Sequence, residues 1–376
     1  MVESVTSRKS STTRRRHNYY SHKRRRQQQV FVVSAMNGHT TTSSNTLLAF
    51  TATIVALSII GSHAQNPEVN TRTIDCADSS PPLVGYDRIQ DIRNDQLEEY
   101  ERIENGQVPP RPPYVFRLCP NTVFSMDEPL EILLSGMTVT CGPNLRSSDS
   151  CVFQGGFEQV IINEPTIDGY TFEMASFVGV TFDGFSGSSI SAFAAAPATF
   201  SCQDCVWQNF NANFAVDIGV MTGAPTSERM RVEITDGSVV QQGQGGTFFS
   251  NDMGTLVFDD VSFLDLEAIS VIATSNMGVT MLHKVIFDTA SVNTISSASN
   301  GGIQNIVNTT VTGLTAVNDV FSAQGAGSRI DMFNVAINNN RITGASPFTG
   351  VRVLGGASAT VRRSEFIGNT GVSVRK

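Results

Sequence analysis

Histidine is scarce in this chain: of five among 376 residues, four lie within the first 63. Only His283 remains beyond them, which argues against a Ser-His-Asp triad and against a His-rich zinc site. Tryptophan occurs once. Trp207 occupies a position that neighbouring segments fill with Phe or Val, so it reads as core rather than as a sugar platform. The last 171 residues contain no cysteine. The longest apolar run, Leu47 to Ile60, has fourteen residues, short of the about 20 of a usual membrane helix. Helical periodicity is confined to one segment. The Gly-rich run Gln241-Gln242-Gly243-Gln244-Gly245-Gly246 lacks the following helix and Lys that a phosphate-binding loop requires.

What is present divides at residue 64. Nine of the 26 Lys and Arg lie before it, clustered as Arg14-Arg15-Arg16 and Lys23-Arg24-Arg25-Arg26, against a single acid, Glu3. The remainder keeps 17 basic and 33 of the 34 acidic residues. Residues 1–45 read as a basic, disordered segment. Residues 46–64 read as a signal peptide or signal anchor, with Ser62-His63-Ala64 as a small-x-small cleavage triplet. Initiation at Met36 gives an ordinary cleaved signal peptide. Initiation at Met1 with an uncleaved helix gives a single-pass protein whose basic segment stays cytoplasmic. Both topologies put the body outside the cytosol, secreted or at the cell surface, and the membrane enters only through this hydrophobic segment. An acidic body argues against a nucleic-acid partner.

The cysteines agree with that topology. Cys76, Cys119, Cys141, Cys151, Cys202 and Cys205 all follow the signal region, where disulfides are expected in any of fifteen pairings. Cys202-Gln203-Asp204-Cys205 lies within strand-like sequence, so a structural disulfide is expected there rather than a redox centre. The only N-x-Ser/Thr sequon, Asn308-Thr309-Thr310, makes Asn308 a glycosylation site in an extracytoplasmic protein.

Between Tyr86 and Asn105, residues Ile89, Ile92, Leu97, Tyr100 and Ile103 are spaced for one face of a helix, which Gly106 and Pro109-Pro110 terminate. Beyond it the sequence repeats. Triplets ending in Phe182, Trp207, Val240, Phe263, Phe287, Val311, Ile337 and Phe366 recur at steps of 25, 33, 23, 24, 24, 26 and 29 residues. Cys151-Val152-Phe153 is an earlier copy. A second apolar position follows these anchors by about eight residues (Ile190, Val216, Phe248, Val271, Ile295, Val320, Val374). A third precedes them by six to eight (Ile234, Val257, Met281, Ile303, Ile330, Val361). Three short strands per period, with no helix between them, describe an all-β parallel solenoid over 137–376, after a cap region at 65–136. A propeller needs longer, four-stranded blades. One coil cannot bury its apolar side alone, whereas coils stacked ~4.8 Å apart share one core.

The coil length, the three strands and the Asn-rich turns (Asn209-Phe210-Asn211, Asn338-Asn339-Asn340) resemble right-handed parallel β-helix proteins, the pectin-lyase-like superfamily. The resemblance covers about residues 137–376 and implies that the helix 86–105 plugs the N-terminal end of the core. The strand pattern at Gly371-Val372-Ser373-Val374-Arg375-Lys376 has no such cap. Either the solenoid docks on something there or the chain is a truncated copy of a longer one.

The resemblance also directs attention to the turn before each anchor. Successive coils place there Gln203-Asp204, Asp236-Gly237, Asp259-Asp260, His283-Lys284, Val307-Asn308, Phe333-Asn334 and Arg362-Arg363. In a polygalacturonase-like reading Asp236, Asp259, Asp260 and His283 are the catalytic candidates of an inverting hydrolase. Asp204, Asp236, Asp259 and Asp260 are candidates for binding sugar or Ca²⁺, the one cofactor implied. The superfamily's Asn-Thr-Asp stands here as Ile234-Thr235-Asp236, its Gly-His-Gly as Leu282-His283-Lys284, and its Arg-Ile-Lys is missing. Asp and Asn also close turns through their own backbone. The expected function is a structural or binding role directed at extracellular polysaccharide. The alternatives are a polysaccharide hydrolase or lyase and a fragment of a larger adhesin-like surface protein.

Overall fold

The computed structural model describes residues 73–76, 83–107, 114–163, 172–193, 198–219, 230–316, 318–343 and 350–370. The basic segment, the apolar run 47–60, the cleavage triplet and Val374 lie outside the described residues.

Alternation within each triplet becomes a wall of the fold. Val261 and Phe263 are buried while Ser262 is not, as a period of two requires. The anchors stack in register as one column: Phe124, Phe153, Phe182, Trp207, Val240, Phe263, Phe287, Val311, Ile337 and Phe366. Along it Phe182 stacks on Trp207 at 5.3 Å and Phe263 on Phe287 at 4.6 Å, whereas Phe124 and Phe182 meet Phe153 edge-on. Each side chain fully buried in this way stabilises the coil by roughly 1.5–3 kcal/mol. A second wall is a sheet of ten parallel strands running from Tyr114–Leu118 to Ser358–Arg362. A third carries the residues that follow each anchor, from Leu130–Ile132 to Val351–Leu354. In two central coils a single strand, Ser262–Ser275 or Ile286–Ser299, runs unbroken through the first and third walls. The result is a parallel β-solenoid of about nine turns around one axial core.

The walls depart from the sequence pattern in two places. The third wall stacks Ile190 on Val216, Val216 on Phe249 and Phe249 on Ile272. Phe248 and Val271 are also buried but sit one residue away from that column. Where the chain rounds the corner, two consecutive side chains face inward and the period of two breaks. The second wall buries Ile234, Phe258, Leu282, Ile306 and Met332 in one column. Val257 and Met281 are the outward neighbours of Phe258 and Leu282, and Ile303 also faces outward, apolar residues on a solvated face.

The helix spans Ile89–Glu104 and ends at Gly106 with φ +65°. Ile89 and Ile92 are buried in the solenoid core, and Tyr100 and Ile103 pack against it. Leu97 is exposed, contrary to the apolar spacing. The face that meets the first coil carries buried Asp95, Gln96 and Glu99 instead. Tyr86 Oη donates to Asp95 (2.8 Å), Tyr114 Oη to Glu99 (3.3 Å) and the Leu133 amide to Gln96 Oε1 (3.2 Å). Disulfides Cys76–Cys119 and Cys141–Cys151 hold this end. Cys202 and Cys205 are free thiols, which corrects the expected third disulfide. Cys202 fills an inward position between Phe177 and Ile234, and the Cys205 thiol contacts the Phe177 carbonyl at 3.6 Å. Both serve as small core hydrophobes. No helix among the described residues is long and apolar enough to cross a membrane.

Candidate functional site

Two columns of left-handed backbone bracket the anchor strands. Three residues before the anchor stand Ser150, Gly179, Asp204, Gly237, Asp260, Lys284, Asn308, Asn334 and Arg363, all with positive φ. Two residues after it stand Gly155, Gly184, Asn209, Gln242, Asp265, Thr289, Gly313, Asn339 and Gly368, again all with positive φ. Asn, Asp and Gly tolerate this conformation best. Turn geometry thus accounts for Asp204 and Asp260, and for Asp236, whose φ is +58° beside Gly237.

Of the candidate catalytic side chains around the first column, only Asp259 and His283 engage each other. Asp204 accepts from the Ser147 amide at 3.0 Å and faces the Ser147 hydroxyl at 3.4 Å. Asp236 accepts from the Thr235 hydroxyl at 3.1 Å. Asp259 precedes the turn and stands in register with His283, its Oδ1 2.7 Å from Nδ1. Asn308 Nδ2 lies 3.4 Å from His283 Nε2, and Asn334 Nδ2 donates to Asn308 Oδ1 at 2.8 Å. This network assigns the proton to Nδ1, pointing at the carboxylate, with Nε2 accepting from the amide. Among the described residues no three His, Cys, Asp or Glu side chains converge to hold a metal. Asp204, Asp236, Asp259 and Asp260 therefore form no preassembled Ca²⁺ cage.

A different surface opens beyond the second column. Two adjoining hollows of about 480 and 440 Å³ follow the solenoid axis and share Gln244, Glu267 and Ser291. Their central row is Asn211, Gln244, Glu267, Ser291 and Thr315, in register on successive coils and continuing to Arg341. The Gly-rich run shapes this groove. A Cβ on Gly243 would lie 2.2 Å from the Phe210 ring, and one on Gly245 only 2.0 Å from the Ala212 carbonyl oxygen. Both glycines let one coil settle on the next. The side chains of Asn211, Gln242, Gln244, Asp265, Glu267 and Ser291 hydrogen-bond to no other described residue.

The chain matches no family model, no curated protein and no solved structure. Of the sequence candidates, the structure brings Asp259 and His283 together and places Asp204, Asp236 and Asp260 in turns. The groove row was missed, although every member stands four residues after an anchor and so repeats at the anchors' own steps.

Proposed function

We propose that the protein is an extracytoplasmic binding scaffold, secreted or held at the cell surface, that seats an extended polysaccharide along its axis. The two disulfides are consistent with an oxidising, extracytoplasmic location. The single observation that carries the reading is the groove row: unbonded amide, hydroxyl and carboxylate groups repeat every ~4.8 Å, close to the rise of one sugar in an extended chain. Orienting groups of this kind, placed in a concavity, are what ligand sites use for specificity. A parallel β-solenoid of about nine turns resembles the pectin-lyase-like superfamily, although fold alone does not assign function. Asn308, exposed beyond the other end of the anchor strand, is the proposed glycan attachment site. Titration of the full chain with a panel of linear polysaccharides tests the reading. Binding weakened by Gln244→Ala with Ser291→Ala supports it; binding to none of the panel, or binding indifferent to both changes, overturns it.

A second reading, a polysaccharide hydrolase or lyase, draws on the 2.7 Å contact between Asp259 and His283. A histidine held by a carboxylate is an arrangement suited to proton transfer. Reducing or unsaturated ends released from polygalacturonate with or without Ca²⁺, and lost on Asp259→Asn or Asp260→Asn, would replace the binding reading.

A further inference from the structure

We infer that the groove selects by charge, taking an amino-bearing glycan and rejecting polyuronates. The inference rests on the groove being a glycan site. Its only charged lining residues are Asp265 and Glu267, on one coil, both exposed. Neither carboxylate has a hydrogen-bond or ion-pair partner among the described residues. The coils on either side bracket them with neutral donors and acceptors, Gln242 and Gln244 on one and Thr289 and Ser291 on the other. Exposed Ile269 adds an apolar edge for the C–H face of a sugar ring. The cation that continues the row, Arg341, is three coils from Glu267. At ~4.8 Å per coil that is about 14 Å, beyond the roughly 8 Å over which physiological salt lets exposed charges interact.

A polyuronate would bring one carboxylate per sugar against these two acids, on a body that already carries 33 acidic and 17 basic residues after position 64. Like charges set face to face select against a partner. A polymer with one ammonium per sugar instead sets a cation beside this pair of carboxylates, and the neighbouring amides and hydroxyls take up its hydroxyl groups.

Calorimetric titration of the full chain with glucosamine, N-acetylglucosamine and galacturonate oligomers of equal length tests this. The glucosamine oligomer is expected to bind about tenfold tighter than the acetylated one, equivalent to about 1.4 kcal/mol, and the margin should shrink with added salt. The galacturonate oligomer is expected not to bind. The double variant Asp265→Asn, Glu267→Gln is expected to lose the preference yet still bind the acetylated oligomer. Asn is suited to the left-handed backbone at position 265, so the turn is preserved. Equal binding of the two glucosamine oligomers, tighter binding of galacturonate, or a preference that survives the double variant overturns charge selection and leaves the groove reading standing. Binding of none of the three overturns charge selection, and binding of no member of the wider polysaccharide panel overturns the groove reading itself.

Discussion

A single added methyl group tests the floor of the groove. Phe210 is buried, stacked on Phe185 at 4.7 Å and edge-on to Phe248 at 4.9 Å, so its ring has nowhere to retreat when Gly243 gains a Cβ 2.2 Å away. Gly243→Ala is expected to cost about 1–3 kcal/mol, the range for overpacking a filled core, read as a lower urea midpoint. An unchanged midpoint would show that the coils can spread. Asp217, in register between Ser191 and Ser250, supplies a pH test. Burial pushes its carboxyl pKa up, a Ser250 hydrogen bond opposes this, and the charges of Asp252 and Glu158 add to the rise. The folded state then holds this proton more tightly than the unfolded chain. The resulting cost is fully present above the folded pKa and fades as pH falls through it. Asp217→Asn should therefore raise Tm at pH 7, by a margin that narrows in acid; a lower Tm at pH 7 would refute the sign.

At the scale of elements, the N-terminal helix and its disulfides act together. The Cys76–Cys119 and Cys141–Cys151 pairs enclose separations of 43 and 10 residues, worth about 4 and about 3 kcal/mol on the chain-entropy model. Ile92 is wholly buried, and Ile92→Ala is expected to cost a further ~2–5 kcal/mol. Coils couple mainly to their neighbours, so reduction or this substitution should expose the first coils selectively. Limited proteolysis would then cut between residues 86 and 141 before any later site, whereas simultaneous cutting throughout would contradict neighbour-limited coupling. The helix and its docking residues Ile89, Ile92, Tyr100 and Ile103 were legible in the sequence, but the polar part of its docking face was not. Gln96 and Glu99 are polar yet buried, because the first coil offers them partners that no periodicity reveals. The anchor column was legible because a large apolar residue must recur once per coil. The second and third walls were read partly one residue out of phase, at corners where two neighbours turn inward and where Val257, Met281 and Ile303 face solvent. The groove was invisible for another reason. Asn211, Gln244, Glu267 and Ser291 are ordinary surface residues until stacking brings positions two dozen residues apart into contact.

For the molecule as a whole, the two free thiols sit where they can time its unfolding. Cys202 and Cys205 are both fully buried in the coils midway along the described solenoid. Burial, with the neighbouring Cys205 adding to it, pushes the Cys202 thiol pKa well above the ordinary range. The Cys202 thiolate that would attack a thiol reagent is thus suppressed, and burial closes the reagent's path to both sulfurs. A linear array opens most easily at its ends, where a coil has one neighbour, and last in its interior. Full-length protein in native buffer is therefore expected to show no labelling by an aromatic disulfide reagent and two thiols labelled in strong denaturant. At intermediate urea the labelling should trail proteolytic cleavage of the terminal coils. Rapid labelling without denaturant would contradict the buried placement. Labelling that keeps step with cleavage would mean that the nine coils unfold together, so that the core column binds them more strongly than nearest-neighbour stacking alone.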